Sequence, residues 1–368
     1  MFLYLRGMKI GFDAKRYFRN TTGLGNYSRT LINGLIEHYP NHDYHLFSSS
    51  RNVSGPEGAE LETPPRFSLF WRQIGSALRI DKRRLNIYHG LSAELPIGKT
   101  KAKQVVTIHD LIFQKYPEYY KSIDRYIYAR KTAAALSQAD IIIASSERTK
   151  QDIIDISPRF QSKTEVIYQD CSPQFYVKLK DEVLKAFKSK NNLPDAYLVS
   201  VCKFEKRKNH LRLLQAYLTK KDALPHLLLV GRKGDTFSRI KQFIKDNDLH
   251  ENVSILSDMA SEELVAAYQG AIASVFLSEY EGYGIPVAES MACGKPVLTS
   301  LGSSMEEICG SSGLCVNPLN IEEIAQGLVE IANNETIEKL RTHIDVEKQK
   351  FSNELILEQH INIYNKLL

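Results

Sequence analysis

Apolar positions along the chain fall into short runs separated by stretches of helical periodicity. Residues 8–14 (MKIGFDA) read as a short buried strand. A loop holding Thr22-Gly23-Leu24-Gly25 follows. Apolar residues then recur at Tyr27, Leu31, Leu35 and Ile36, the spacing of an amphipathic helix, which Pro40 ends. Tyr44 to Ser48 is the next strand, and residues 49–66, rich in Ser, Gly, Pro and Glu, read as loop. Strand-like runs return at 85–89, 104–108 and 140–144, with helices between them.

A second series opens near residue 196. Strands are expected at Tyr197 to Cys202, His226 to Gly231, Val253 to Leu256, Ala271 to Leu277 and Pro296 to Thr299. Helices are expected at His210 to Leu218, Ser238 to Asn247, Glu262 to Gln269, Pro286 to Ala292 and Ile321 to Ile331. The Lys-rich segment Val177 to Asn192 reads as linker plus entry helix, and a terminal helix spans about Glu347 to Leu368. Strand and helix alternate in both series, which predicts α/β domains with parallel sheets. The expected division is 1–177, 178–345 and a C-terminal helix at 346–368.

Composition narrows the class. The chain has 368 residues, 43% hydrophobic and 25% charged, close to ordinary globular averages and enough for two cores. A net charge of +5 is too small for a nucleic-acid stripe. Five cysteines, none in a CxxC pair, fit a reducing compartment better than disulfides or a zinc site. No run reaches the roughly 18 apolar residues of a spanning helix. Met8 opens a clean strand, so the first seven residues read as an extension upstream of the natural start. The expectation is a cytosolic protein.

Parallel sheets bind ligands outside the carboxyl ends of their strands, so those loops carry the candidates. After Leu277 comes Ser278-Glu279-Tyr280-Glu281-Gly282-Tyr283-Gly284-Ile285-Pro286-Val287-Ala288-Glu289. Pro286 suits a first helical turn, and Gly282 and Gly284 leave the backbone bare before it. A helix start of this kind favours a phosphate or a sugar hydroxyl. Glu281 and Glu289 add carboxylates that can accept paired hydroxyls. After Val201 comes Cys202-Lys203-Phe204-Glu205-Lys206-Arg207-Lys208-Asn209, whose cations can neutralise a diphosphate. Gly23-Leu24-Gly25-Asn26 follows the first strand, but Ser28 replaces the third glycine of a dinucleotide fingerprint, which counts against NAD. Thr107-Ile108-His109-Asp110 closes another strand, and Asp110 suits a helix cap.

The run from Ser278 to Val297, with seven residues between its two glutamates, resembles the signature of retaining glycosyltransferases of the family 4 type. Matches extend from residue 8 to about 335. Among them are Thr299 to Ile308, where Glu306 replaces the usual proline, and Val166 to Cys171, where Asp170 replaces a glycine. Cys202 and Lys206 stand where the family usually has glycine and proline. The resemblance implies the GT-B fold, two facing Rossmann-like domains with a cleft between them, the acceptor on the first and the nucleotide on the second. It implies that the terminal helix packs back on the first domain. It places Glu289 on the ribose hydroxyls, and Arg207 and Lys208 on the leaving diphosphate with Lys203 as a third cation. Glu281 and the backbone of Gly282, Tyr283, Gly284 and Ile285 fall on the hexose. His109 and Asp110 come near the transferred sugar, and Gly23 and Gly25 near the donor phosphate and the acceptor.

The implied reaction moves a hexose from a nucleoside-diphosphate sugar to an acceptor hydroxyl with retention, the leaving phosphate taking the acceptor's proton. Similarity to bacterial mannosyltransferases of surface-polysaccharide assembly favours GDP-mannose, with UDP-hexoses next. No D-x-D closes a strand, so neither a metal nor a cofactor beyond the nucleotide sugar is expected. Two alternatives stand beside this: a GT-B-fold UDP-sugar isomerase and a non-catalytic sugar-nucleotide binder. Lipid-linked saccharides are common acceptors in the family. Arg72, Arg79, Lys82, Arg83 and Arg84, with Phe70, Trp71 and Leu78, form a stretch for peripheral contact with an anionic membrane, against the plainer expectation of a solvated helix face.

Overall fold

A computed structural model describes residues 7–20, 23–65, 71 and 75–368. The chain forms two compact units, Met1–Asp170 with Ser352–Leu368, and Cys171–Phe351. The crossings lie at Asp170/Cys171 and Phe351/Ser352, where the sequence suggested 177 and 345. Packing explains both. The turn Pro173–Tyr176 belongs to the second unit because Phe175 sets its ring edge-on to Tyr268, 5.8 Å away. Residues 346–351 stay with that unit because Glu347 accepts the Ser311 amide (2.9 Å) and Phe351 is fully buried.

The first unit holds a parallel sheet of β1 (Lys9–Asp13), β2 (Asp43–Phe47), β3 (Ala59–Glu62), β4 (Ile87–Gly90), β5 (Lys103–Ile108), β6 (Ile141–Ala144) and β7 (Thr164–Val166), in the order β3-β2-β1-β4-β5-β6-β7. Its helices are α1 (Lys15–Arg19), α2 (Gly23–His38), α3 (Ser76–Arg83), α4 (Ile112–Lys115), α5 (Ser122–Gln138) and α6 (Glu147–Ile156). Interior strands such as β6 (IIIA) read as continuous apolar runs because helices cover both faces. Edge strands lack that signal. β3 (AELE) lies inside the segment expected as loop, and its buried Glu62 is neutralised by Arg79 and Arg83 rather than replaced by an apolar residue.

Gly23 and Gly25 sit in the first turns of α2, not in a preceding loop. The helix starts early because Asn20 receives it: its Oδ1 accepts the Gly25 amide at 3.2 Å. A Cβ on Gly25 would lie 1.8 Å from the Asn20 carbonyl oxygen, so only glycine fits.

The second unit holds β8 (Tyr197–Val201), β9 (His226–Val230), β10 (Val253–Leu256), β11 (Ala273–Phe276), β12 (Val297–Ser300) and β13 (Gly313–Val316), parallel in the order β10-β9-β8-β11-β12-β13. Its helices are α7 (Asp181–Lys190), α8 (His210–Thr219), α9 (Phe237–Asp246), α10 (Ser261–Gly270), α11 (Ile285–Ala292), α12 (Ser304–Cys309), α13 (Ile321–Ile331) and α14 (Asn334–Glu347). Its core is aliphatic, with Leu198, Leu214, Leu229, Val275, Leu298 and Leu328 all fully buried.

The expected terminal helix, Glu347 to Leu368, starts later than its apolar pattern suggested, after a helix that the pattern did not mark. α14 ends at Glu347, a 3-10 turn covers Lys348–Phe351, Ser352 is extended, and α15 (Asn353–Lys366) begins afresh. α15 packs on α2, as the resemblance implied, with Gly34 giving room for Leu357. A buried polar chain anchors it. The Tyr364 hydroxyl donates to His89 Nδ1 (2.7 Å), whose Nε2–H donates to Thr107 Oγ1 (2.8 Å). Thr107 meets the Tyr27 hydroxyl (3.1 Å), which donates to His360 Nε2 (3.4 Å), and His360 Nδ1–H ends on the Ile356 carbonyl (2.7 Å). Burial holds His89 well below its ordinary value and His360 at about 4, so both rings stay neutral, as a one-way chain requires.

Tyr364→Phe removes only the first donor and leaves a buried ring nitrogen unsatisfied. The expected loss is about 1–3 kcal/mol, read as a lower urea midpoint at unchanged slope. An unchanged midpoint would show that the chain contributes nothing to holding α15.

Candidate functional site

β8 and β11 are neighbours in the second sheet, with Leu198 opposite Ala273, so the loops that leave their carboxyl ends meet. The Glu279 amide donates to the Arg207 carbonyl at 2.8 Å and ties the two together. Lys206–Lys208 form a 3-10 turn, closed by Asn209 in the left-handed conformation (φ 64°). That turn aims two cations at one carboxylate. Arg207 Nη1 donates to Glu281 Oε2 at 2.9 Å, and Lys208 Nζ pairs with Glu281 Oε1. Burial alone would raise the Glu281 carboxyl, but Lys208 and Arg207 outweigh it and hold it at about 2. Glu205 joins from the same loop, 3.3 Å from Arg207 Nε and 2.7 Å from Lys203 Nζ. Three cations face two carboxylates, which leaves a positive balance at a strand end.

The loop from β11 turns into α11 through Gly284 at φ 115°, a conformation L side chains rarely adopt, with Pro286 in the first turn. Gly282 and Tyr283 are buried, and Ile285 opens the helix. One turn on, Glu289 Oε2 accepts from the Tyr268 hydroxyl of α10 at 2.9 Å. Burial pushes this carboxyl up to about 7, partly offset by that bond. The two glutamates of the motif therefore sit in opposite states, one clamped as an anion and the other poised near neutrality. Strong, opposed shifts of this kind mark functional sites.

In the first unit, His109 lies just past β5. Its Nε2–H donates to the Leu91 carbonyl (2.8 Å), and its Nδ1 accepts from Gln169 Nε2 (2.8 Å). The Tyr27 ring meets it edge-on at 4.8 Å. Burial lowers it to about 4, so it is neutral with both nitrogens engaged. His109 is thus held neutral in one orientation. Asp110 Oδ1 accepts the Ile112 amide at 3.2 Å, at the start of α4. Both residues line a cavity of about 190 Å³ with Arg16, Tyr120, Tyr128 and Lys131. Leu24 reaches this cavity, whereas Gly23 and Gly25 do not line it.

The structure brings Arg207, Lys208 and Glu281 together, keeps Lys203 on the same loop through Glu205, and gathers Gly282 to Ile285 at the α11 start. Tyr268, Gln169 and Arg16 were not singled out from the sequence, because no motif spacing marks them. Two further expectations change. Trp71 is buried, its Nε1 donating to the Ser48 carbonyl, and Arg79 and Arg83 are spent on Glu62 and Glu60. Leu78, Lys82 and Arg84 of that stretch are exposed; Phe70 and Arg72 lie outside the described residues. His45 clusters with Glu60 and Glu62 within 4.8 Å, but the same two arginines already neutralise those carboxylates. Among the described residues no helix is long and apolar enough to cross a membrane.

Residues 21–169 match the family described as Glycosyltransferase Family 4, and residues 182–351 match Glycosyl transferases group 1. The chain belongs to glycosyltransferase family 4. It is 26% identical to O-antigen chain mannosyltransferase B of Escherichia coli, over 98% of this chain and 100% of that one. Serotype-specific mannosyltransferase WbdA of Escherichia coli is also 26% identical, over 71% of this chain and 33% of its own length. Among solved structures, Anabaena Alr3699/HepE in complex with UDP and glucose superposes with a TM-score of 0.73 at 16% identity, covering 98% of this chain and 100% of that one. A glycosyltransferase from Rickettsia africae gives 0.74 at 20% identity, covering 99% of each. The fold of this glycosyltransferase is GT-B.

Glu289 sets a pH signature in this glycosyltransferase. Its folded value near 7 lies above the ordinary 4.5, so the folded state keeps a proton the unfolded chain releases. Its contribution to stability is therefore full below about 4.5 and declines as pH rises to about 7. Glu289→Gln mimics the protonated form and removes the decline, a difference of up to about 3 kcal/mol between pH 4.5 and 7.5. Urea unfolding of both proteins across that range checks it, and parallel curves would refute the assignment.

Proposed function

We propose that this glycosyltransferase moves a hexose, mannose from GDP-mannose before others, to a hydroxyl of a saccharide or lipid-linked saccharide acceptor in surface-polysaccharide assembly, with retention. The observation that carries the proposal is the pair of cations, Arg207 and Lys208, held by Glu281 beside the bare start of α11. The mannosyltransferase relatives support the sugar and the pathway class. The nucleotide sugar is supported by the neighbour solved with UDP and glucose.

As the bond from the anomeric carbon to the diphosphate oxygen breaks, negative charge grows on the leaving phosphate. Arg207 and Lys208 are already oriented, so they stabilise that charge without reorganising. The acceptor hydroxyl bonds to the anomeric carbon on the same face, and its proton passes to the leaving phosphate oxygen. Glu289 accepts the ribose hydroxyls, while Glu281 and the backbone of Gly282 to Ile285 hold the hexose. These cations take the place of a divalent ion, so no metal is required. The cavity beside His109 and Asp110 suits a saccharide acceptor, offering the rings of Tyr120 and Tyr128 and a polar rim.

Peripheral membrane contact, on this reading, runs through α5 as well as the exposed Leu78, Lys82 and Arg84. The first half of α5 exposes Ile123 (68%), Tyr126 (61%) and Ile127 on one side, with Arg125 and Arg130 beside them. Apolar and basic residues together suit an anionic bilayer. Native protein is expected to float with vesicles containing anionic lipid, and Ile123→Glu/Ile127→Glu to stay behind. Equal flotation of both would remove α5 as the contact.

The donor is tested by melting shifts with GDP, UDP, ADP, their hexose conjugates and NAD in EDTA buffer. GDP-mannose at 100 times its Kd should add about 2.7 kcal/mol to the native protein, and Glu289→Ala should lose that gain. A shift with NAD alone, or with nothing, would overturn the proposal.

A further inference from the structure

We propose that the second unit carries a binding site for a phosphate monoester in the cavity between the starts of α8 and α9. The cavity measures about 460 Å³, and Lys206, Arg212, Arg239, His210 and Thr236 are among its lining residues. It lies beyond the donor clamp described above: neither Arg207, Lys208, Glu281 nor Glu289 lines it.

Four observations converge. First, two ten-residue helices begin at the cavity, and neither start carries a side-chain cap. Asn209, at the head of α8, spends its amide on the Pro318 carbonyl (2.7 Å) instead. Uncapped helix starts favour an anion. Second, two buried polar atoms at the cavity have no partner, Thr236 Oγ1 and His210 Nδ1, on residues 6% and 2% exposed. Buried polar groups are seldom left so, and each points to a missing ligand atom. Third, the unpartnered groups are uncharged and one of them can donate. His210 Nε2 lies 3.3 Å from Cys202 Sγ. Burial raises that thiol to about 11 and lowers His210 to about 3, so both side chains are neutral. Thr236 supplies a hydroxyl. Fourth, the rim is cationic. Lys206, Arg212 and Arg239 outnumber Glu279 and Asp246 among its lining residues, and Arg212 pairs with Glu279 at 3.2 Å. Arg239 is exposed at the mouth.

A phosphate monoester matches this set better than a neutral sugar. Its oxygens accept from the Thr236 hydroxyl and the helix amides, and Arg239 balances its charge. The ester substituent extends along the groove between α8 and α9, past Gln215 and Gln242.

Inorganic phosphate is the probe, and the donor clamp is removed first so that it cannot answer. In full-length Arg207→Gln/Lys208→Gln protein, phosphate should still raise Tm saturably, by about 3–5 °C at ten times its Kd. Adding Arg239→Gln, an exposed position that leaves the core untouched, should abolish the shift, and adding Thr236→Val should weaken it. No shift in the clamp-free protein, or a shift that survives Arg239→Gln, overturns the site. Failure of GDP-mannose to stabilise native protein would count against the donor proposal and leave this result standing.

Discussion

The Glu281 carboxylate, shared between Arg207 and Lys208, is the interaction on which the second unit's chemistry depends. A carboxylate only 13% exposed is costly unless paired, and two cations on one loop would repel each other without it. Each therefore needs the other in place before any ligand arrives. The pairing spans 73 residues of sequence, and it exists because β8 and β11 are adjacent in the sheet. Removing Glu281 would leave uncompensated positive charge, while removing the cations would let its carboxyl drift upward with burial.

Glu289 shows the opposite solution eight residues later on the same motif. It has no cation partner among its principal interactions, only the Tyr268 hydroxyl, and burial carries its carboxyl to about 7. A clamped anion suits a group that positions cations. A carboxyl near neutrality suits a group that gains its charge when hydroxyls arrive to solvate it. One short segment thus supplies two carboxyl groups whose environments push them apart, as acid–base sites generally require.

The first unit is organised by a different constraint. Its sheet is closed over by α15, the last helix of the chain, through the neutral chain from Tyr364 to Ile356. Thr107 in that chain is two residues from His109, and Tyr27 both joins the chain and packs edge-on against His109. The cavity wall beside β5 is therefore held by the C-terminal helix as well as by its own strand, and polar atoms buried there are satisfied in series rather than singly.

Periodicity and motif spacing in the sequence determined the alternation of strand and helix, both parallel sheets, the glutamate motif at a strand end and the cations opposite it. These are local properties: a buried interior strand is rich in apolar residues, and a helix start needs its glycine and proline within a few residues. Edge strands β3, β7 and β13, the early start of α2 and the break before α15 were not legible, because each is set by a neighbour. Glu62 is tolerated in a strand only because Arg79 and Arg83 reach it, and Gly25 belongs to a helix only because Asn20 lies against it. The same holds at the site. That Arg207, Lys208 and Glu281 are charged was plain from the chain, but that they bind one another was not. Tyr268 finds Glu289, Gln169 finds His109, and Arg79 and Arg83 find Glu62 only once the strands have taken their order. Tertiary structure decided these, since which distant side chains share a low-dielectric pocket follows from sheet order, and burial then fixes the charge each can carry.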